Sequence, residues 1–341
     1  MMRRFLHNER KNIDAAILNT ARKKNLPPAL VEKDLYVCYI LDYLFNRFVY
    51  KNFLEFKGGT SLSKGYDLIN RFSEDIDVVL KADVLNVNLE DIINLESKNK
   101  KSKQADELNR KAITFYQEKL IPILKRDLES ELESDFNVVL SEKDLAIYIQ
   151  YPSSFRNEYV KDSVKLEIGP LAAWTPCETK EISSFIAQEY PKLFETVSFP
   201  VLITKPVRTF WEKAVIMHQE ANRLDGKVPM RYFRHYYDLY RMNNSFVKKE
   251  ALNNIELLNE VRIFTITFYN RSWSRFEEAI PGTFKLYPNE NSIPNLKKDY
   301  ENMKQMIFGG SPSFEEVLSV IKKLEEEIND LGKKYEYRKF I

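Results

Sequence analysis

Two short apolar runs joined by a glycine turn constrain the fold more than any other part of this chain. The first run, residues 53–56, leads into a turn at Gly58, and the second, residues 76–80, directly follows Asp75 and contains Asp77. Side chains of a strand alternate between its two faces, so both aspartates project to one side while the apolar residues face the core. The block predicts a strand, a turn that opens a helix, and a second strand with paired carboxylates.

The paired carboxylates indicate a cation site. Carboxylates that lie side by side repel each other unless a cation separates them. Mg²⁺ takes oxygen ligands of this kind, and nucleotide phosphates complete its shell. A glycine turn at the start of a helix lets a phosphate approach the backbone amides. The alternatives are a solvated strand face and a turn capped by Thr60 or Ser61. Because turn and acidic strand occur together, we predict a metal-dependent nucleotidyl-transfer site.

Residues 164–168 form a third strand-like run whose polar side chains add to this prediction. Lys165 and Glu167 share one strand face, and the apolar residues between them face the core. Phosphoryl-transfer sites often use a third carboxylate near the attacking hydroxyl, which makes Glu167 a candidate. The alternative is a Lys/Glu pair on an exposed strand, which contributes little to stability. Ser73 is a candidate for bonding a phosphate or for capping the turn before the strand.

The second half of the chain supplies further charged candidates. Lys213 lies in an amphipathic helical pattern and could neutralise charge that develops on a triphosphate. Asp238 could orient Lys213 or an arginine from a polar face of the next helix. The alternative is an exposed Arg234–Asp238 pair worth roughly 0.3–0.5 kcal/mol. The spacing of His218 and His235 favours structural roles over zinc binding.

A local basic surface is predicted across the same two helices, because the overall charge gives no reason to expect nucleic acid. The 52 basic and 50 acidic residues leave a formal net charge of only +2. An RNA-binding face therefore needs clustered cations. The residues that we assign to it are Arg208, Arg223, Lys227, Arg231 and Arg234. The lysine-rich run at 98–103 is either solvated or a second nucleic-acid contact.

The pattern of elements predicts a mixed α/β half followed by a helical half, with domains at 1–200 and 201–341. Helices are expected at 9–24, 29–48, 106–134 (interrupted at Pro122), 207–223, 230–242, 254–268, 298–308 and 314–333. Strands at 136–139, 146–151 and 164–168 are expected to form an antiparallel meander. Residues 83–105 are expected to form a polar surface insertion, and 199–206 a Pro-containing connection.

Two cysteines, without a signal peptide or membrane span, predict a cytoplasmic protein with free thiols.

These motifs together resemble the nucleotidyltransferase AbiEii/AbiGii toxin family of the polymerase-β-like superfamily. The resemblance rests on the block at 57–62 and 71–77, and on Val31-Glu32-Lys33-Asp34 before it. Residues 164–168, Glu212-Lys213 and Tyr237-Asp238-Leu239 are similar to the second, third and fourth motifs of the family. The resemblance implies an α+β fold: a polymerase-β-like mixed sheet flanked by helices, with a C-terminal helical bundle.

The resemblance also implies an activity, which is the transfer of a nucleotidyl group from ATP, GTP, CTP or UTP to an acceptor hydroxyl with release of pyrophosphate. One or two Mg²⁺ ions, an RNA or tRNA acceptor and a separate antitoxin protein are the expected partners. The assigned residues are Asp75, Asp77 and Glu167 for metal and catalysis; Lys213 and Asp238 for catalysis; and Lys57, Gly58, Gly59, Thr60, Ser61, Ser73 and Lys165 for the nucleotide. The alternatives are a non-catalytic binding module and a small-molecule nucleotidyltransferase.

Overall fold

The two predicted strands around the glycine turn are neighbours in one mixed β-sheet of the computed structural model. The structure describes residues 2–73, 75–132, 136–143, 145–157, 160–171, 175–271 and 273–334. Within these residues the strands are β1 (Leu54–Lys57), β2 (Ile76–Leu80), β3 (Asn137–Ser141), β4 (Ala146–Gln150), β5 (Ser163–Gly169), β6 (Cys177–Ile182) and β7 (Phe199–Thr204). They form a sheet of order β3-β4-β5-β2-β1-β7-β6.

Strand pairing brings the chemistry-bearing strands together in the middle of this sheet. β2 lies between β1, to which it is antiparallel, and β5, to which it is parallel. Lys57 and Glu167 are the register partners of Asp77 on the two neighbouring strands. Paired residues on neighbouring strands point to the same face, so these three polar side chains share one face of the sheet. The predicted meander of β3, β4 and β5 is confirmed.

Strands β6 and β7 were missed by the sequence patterns. β7 occupies the segment that we predicted to be a connection, and it pairs parallel to β1 and antiparallel to β6. Pro200, near its start, masked the apolar alternation, and Glu178 and Lys180 masked that of β6. Charged side chains are typical of a strand at the edge of a sheet, which is where β6 lies.

The helices before β7 largely follow the prediction. They are α1 (Met2–Leu6), α2 (Arg10–Lys24), α3 (Pro28–Asp42), α4 (Gly58–Lys64), α5 (Leu89–Ile93), α6 (Lys98–Phe115), α7 (Ile121–Leu132) and α8 (Phe185–Glu189). α3 continues into a π-helical turn at Tyr43–Arg47. A second π-helical turn, Tyr116–Leu120, separates α6 from α7 just before Pro122, so the predicted interruption is confirmed. The insertion predicted at 83–105 contains α5 and the start of α6. The lysine-rich run at 98–103 forms the first turns of α6.

The helices after β7 are α9 (Pro206–Ala221), α10 (Phe233–Asn243), α11 (Phe246–Leu252), α12 (Ile255–Tyr269), α13 (Ile293–Met303) and α14 (Phe314–Lys334). The short helix α11 was not predicted. The helix predicted at 298–308 begins earlier, with Pro294 in its first turn, and ends earlier. The helix predicted from residue 230 begins at Phe233, because Arg231 has a φ of +59° and cannot continue a helix.

The described residues form two compact units. The sheet unit consists of Met1–Gly65, Ser73–Leu89 and Ala105–Thr204, and the helical unit of Tyr66–Phe72, Glu90–Gln104 and Lys205–Ile341. Helix α3 is the most deeply buried helix of the sheet unit. In the helical unit, α10 packs on α9 and α14, and the ring of Phe233 stacks on that of Phe314 and contacts the tilted ring of Tyr300. None of the described helices is both long enough and apolar enough to span a membrane.

Candidate functional site

The glycine turn and the acidic strand lie in direct contact. Gly58, the first residue of α4, has a φ of +80°, a left-handed conformation that favours glycine. A Cβ atom placed on Gly58 would lie 1.8 Å from Oδ2 and 2.9 Å from Cβ of Asp77. Only a residue without a side chain lets the backbone of the turn approach this carboxylate so closely. The predicted proximity of the turn and Asp77 is therefore present in the structure.

The hydroxyl groups around the turn donate hydrogen bonds to backbone carbonyl oxygens of the protein itself. Thr60, which is buried, donates its hydroxyl hydrogen bond to the carbonyl oxygen of Asp75 and lies 3.0 Å from Oγ of Ser73. Ser61 donates to the carbonyl oxygen of Gly58 at 2.9 Å. The alternative in which Thr60 or Ser61 caps α4 is wrong, because Lys57 is the N-cap residue and no side chain caps the helix. The Thr60 hydroxyl instead ties the turn to the chain just before β2, and the Ser61 hydroxyl bonds within α4.

Lys165 and Glu167 form an ion pair on the sheet face that they share with Asp77. Burial lowers the pKa of Lys165, but the hydrogen bond and charge of Glu167 and the charge of Asp75 outweigh it, so the pKa is raised. Lys165 is therefore a cation held next to the acidic strand. The side chain of Glu167 remains 41% exposed, so it is open to a ligand.

The sheet face that carries Asp77 and Glu167 offers carboxylate oxygens, the type of ligand that a divalent cation prefers. No group of three or more His, Cys, Asp and Glu side chains within the described residues is close enough to hold a metal ion by itself. Mg²⁺, however, is usually bound through one or two carboxylates together with substrate phosphates. Asp75 and Asp77 fit such a partial ligand set, and the set of three that includes Glu167 stays a prediction.

The helical unit contains a different charged cluster, centred on Asp238. This aspartate has no exposed surface and accepts hydrogen bonds from Nε and Nη2 of Arg71, both at 2.7 Å. Nζ of Lys213 lies 2.8 Å from Oδ2 of the same carboxylate. The predicted link between Lys213 and Asp238 is thus present, and Arg71 is an additional member that the residue patterns did not single out.

Burial and charge shift the protonation equilibria in this cluster. Burial alone would raise the pKa of Asp238, but the charges of Arg71 and Lys213 and their hydrogen bonds hold it well below its ordinary range. Burial lowers the pKa of Lys213 more than Asp238 raises it, and the charge of Arg71 adds to the lowering. Asp238 therefore stays ionised and pairs with both buried cations.

The structure corrects two points about α10. The alternative of an exposed Arg234–Asp238 pair is wrong, because Asp238 is fully buried and pairs with Arg71 and Lys213. Arg231 lies before the helix, where it is exposed.

The predicted RNA-binding residues differ in exposure. Arg208 is only 2% exposed and pairs with Glu212 at 3.3 Å, so it is not on an exposed face and is withdrawn from the predicted surface. Lys227 and Arg231 are exposed in the loop between α9 and α10. Arg223 is partly buried and stacks 4.1 Å from the ring centroid of Trp273, and Arg234 is also partly buried.

His218 has a structural environment. Its Nδ1 accepts a hydrogen bond from the amide of Lys285 at 3.0 Å, and its Nε2 lies 2.9 Å from the carbonyl oxygen of Arg275. One nitrogen accepts and the other donates, which is the pattern of the neutral ring. Burial lowers the pKa of His218 to about 4.

Glu55 on β1 is a buried carboxyl group that the sequence patterns missed. Thr204 donates a hydrogen bond of 2.6 Å to Oε1 of Glu55, and burial raises the pKa of this carboxyl to about 7. The alternation of β1 could have identified Glu55 as a candidate. Glu55 and Lys57 project to the same face of a strand whose other residues are apolar.

Comparisons with known proteins match this chain to a protein family and to solved structures. The family model described as nucleotidyl transferase AbiEii toxin, type IV toxin–antitoxin system, matches residues 39–320. No curated protein matches the chain. The solved structure of MenT4, a nucleotidyltransferase toxin from Mycobacterium tuberculosis H37Rv, is similar with a TM-score of 0.51 and 14% identity, over 93% of this chain and 89% of that one. JHP933 from Helicobacter pylori gives a TM-score of 0.40 and 15% identity, over 88% of this chain and 93% of that one. The likeness to MenT4 confirms the predicted α+β fold class.

Proposed function

The chain belongs to the nucleotidyl transferase AbiEii toxin family of type IV toxin–antitoxin systems, and from this premise we propose a specific reaction. The family makes the chain a nucleotidyltransferase. We propose that it uses a nucleoside triphosphate with Mg²⁺ and that its acceptor is a hydroxyl group of RNA. A separate antitoxin protein is the partner that the family implies.

The observation that carries the proposal is the contact between Gly58 and Asp77. Asp77 lies against the turn backbone and in register with Glu167, so a phosphate held at the turn would lie beside oxygen ligands for a cation. Bound Mg²⁺ would neutralise phosphate charge at Asp75 and Asp77. Lys57 and Lys165 flank the acidic residues and would add positive charge for the triphosphate.

In the proposed reaction the acceptor hydroxyl oxygen attacks the α-phosphorus, and the bond to the β-phosphate breaks so that pyrophosphate leaves. Glu167 takes or orients the proton of the hydroxyl, because its side chain is partly exposed on the same sheet face as Asp77. By resemblance to the third and fourth motifs of the family, Lys213 balances phosphate charge and Asp238 holds its ammonium group.

We propose RNA as the acceptor because cations cluster in and beside the loop between α9 and α10. Lys227 and Arg231 are exposed there, and Arg223 and Arg234 lie close to them in sequence. Exposed cations of this kind bind a phosphate backbone.

The test is a labelling experiment with the purified chain. Total RNA is incubated with each of the four α-labelled triphosphates, with Mg²⁺ or with a chelator. We expect label to enter RNA from at least one triphosphate, and only when Mg²⁺ is present. Label that enters equally well under chelation would contradict the proposed metal dependence.

Charge reversal of Arg231 and Arg234 should weaken RNA labelling, and labelling that is unchanged in this variant would contradict the proposed RNA contact.

A further inference from the structure

Three consecutive charged residues, Glu32, Lys33 and Asp34, are buried in the middle of α3. Each is at most 3% exposed, and every residue from Ala29 to Asp42 in this helix is buried. A buried charge is unfavourable unless partners compensate it. The positions of these partners therefore tell which parts of the sheet unit α3 holds in place.

Lys33 holds the beginning of β5. Its ammonium group donates hydrogen bonds to the carbonyl oxygens of Lys161, at 2.9 Å, and of Ser163, at 2.6 Å. Ser163 is the first residue of β5, and Glu167 follows four residues later on the same strand. Because Glu167 is in register with Asp77, a shift of β5 along its axis would change the distance between these two carboxylates.

Asp34 holds the far end of α4. Its carboxylate forms an ion pair with Lys64, the last residue of α4, and accepts a hydrogen bond of 2.6 Å from the amide of Phe185. Nζ of Lys64 also lies 4.0 Å from the ring centroid of Phe185. Burial would lower the pKa of Lys64, but Asp34 outweighs this effect and the pKa is raised, so Lys64 stays protonated.

The helix that Asp34 anchors is the one that begins at the glycine turn. α4 has only seven residues, with Gly58 against Asp77 at one end and Lys64 against Asp34 at the other. A helix of two turns moves as a rigid body, so its position at Lys64 sets the approach of Gly58 to Asp77.

We infer that Asp34 and Lys33 are positioning residues for nucleotide transfer: Asp34, through Lys64, sets the glycine turn against Asp77, and Lys33 sets β5 and Glu167. The inference rests on the proposed function. Glu32 is excluded from this role, because its carboxylate pairs with Arg10 and accepts from the amides of Ser154 and Phe155, none of which belongs to a strand or helix of the site.

The first test is the affinity for a Mg²⁺–triphosphate, measured by calorimetry. Asp34→Asn keeps the size of the side chain and an acceptor for the Phe185 amide but removes the charge that faces Lys64. We expect the dissociation constant to rise about tenfold, in the range for loss of one charge-assisted contact. Lys64→Met breaks the same pair from the side of α4 and should give the same rise, with no further rise in the double variant.

The second test distinguishes the role of Lys33 at β5 from the role of Asp34 at the turn, by measuring kcat and the affinity for the triphosphate. Lys33→Met removes both hydrogen bonds to the start of β5. We expect kcat for transfer to fall by on the order of 10²-fold, as a displacement of about 1 Å can cause, while the affinity for the triphosphate changes little. The kcat is calculated per folded molecule, with the folded fraction taken from urea unfolding at the assay temperature, so that a general loss of stability would leave it unchanged.

A matched control is available on the same helix. Asp42 is also a buried aspartate of α3, and it pairs with Arg47 at 2.5 Å, away from α4 and β5. Asp42→Asn should lower the melting temperature while leaving affinity and kcat unchanged below it. If the Asp34, Lys64 and Lys33 variants behave like Asp42→Asn, the inference is wrong. If the unaltered chain binds triphosphate but transfers nothing, the proposed function is wrong, and the affinities of the Asp34 and Lys64 variants still decide the inference about the turn.

Discussion

Aspartates occupy both β2 of the sheet unit and α10 of the helical unit, in opposite surroundings. Asp77 is partly exposed, touches the turn at Gly58 and shares its sheet face with Glu167. Asp238 is fully buried, and Arg71 and Lys213 surround its carboxylate. Acidic groups that lie beside each other gain most from a cation that arrives with a ligand, whereas an acidic group between two cations is already neutralised. The difference separates an acidic group suited to ligand binding from one that holds the protein together.

The largest expected effect is on the buried cluster. Asp238→Asn leaves Arg71 and Lys213 buried beside a neutral side chain, so the free energy of unfolding should fall by about 3–5 kcal/mol. The pKa of Asp238 is lowered by folding, so its contribution is present above the ordinary aspartate range and is lost only as the pH falls through the lowered value. Urea unfolding at pH 7 and at pH 5 should therefore give the same difference.

The control for this prediction is a surface aspartate of α14. Asp330 pairs with Lys333, and the two side chains are 62% and 81% exposed. Asp330→Asn should change the free energy of unfolding by less than about 1 kcal/mol. Equal effects of the Asp238 and Asp330 variants would remove the distinction between the two kinds of carboxylate.

A smaller effect, on activity, is expected at the contact between turn and strand. Gly58→Ala places a methyl group where the carboxylate of Asp77 lies and requires a left-handed alanine. We expect the transfer rate to fall by on the order of 10²-fold, because the carboxylate must move aside. Gly169→Ala on β5 is the matched control, since its Cβ would meet no atom within 4 Å. Full activity in the Gly58 variant would show that this contact is not part of the site.

The smallest effects concern how the free energy of unfolding changes with pH. The contributions of Glu55, in the sheet unit, and His218, in the helical unit, should change with pH in opposite directions. Glu55 has its pKa raised by folding from 4.5 to about 7, so its contribution to stability is present below 4.5 and is lost as the pH rises toward 7. His218 has its pKa lowered from 6.5 to about 4, so its contribution is present above 6.5 and is lost as the pH falls toward 4.

Variants of these two groups test the opposite signs. Glu55→Gln and His218→Gln should each remove roughly 2–3 kcal/mol of pH-dependent stability, because one unit of pKa difference is worth about 1.36 kcal/mol. The measurement is the free energy of unfolding between pH 4 and pH 7, with the slope of the unaltered chain as reference. Slopes that change in the same direction in the two variants would contradict this account.

Local patterns predicted the parts of the fold and site that depend on neighbouring residues. Asp77 and the Lys165–Glu167 pair lie on β2 and β5, two strands that alternation predicts, and Asp75 directly precedes β2. The predicted link between Lys213 and Asp238 is present, but Arg71, the other partner of Asp238, could not be found in this way, since it is 167 residues away in the sequence. The buried charges of α3 did leave a signal: three consecutive charged residues inside a largely apolar helix must find partners in the fold.

The central claim is that Asp75 and Asp77, directly before and within β2, take part in nucleotide transfer. Its most direct test compares Asp77→Asn with the unaltered chain in the RNA labelling assay with Mg²⁺. We expect the transfer rate to fall by on the order of 10³-fold, the range for loss of a group that stabilises the transition state. The free energy of unfolding should change by much less than in the Asp238→Asn variant, because the side chain of Asp77 is partly exposed. Transfer at the rate of the unaltered chain by a folded Asp77→Asn variant would contradict the account.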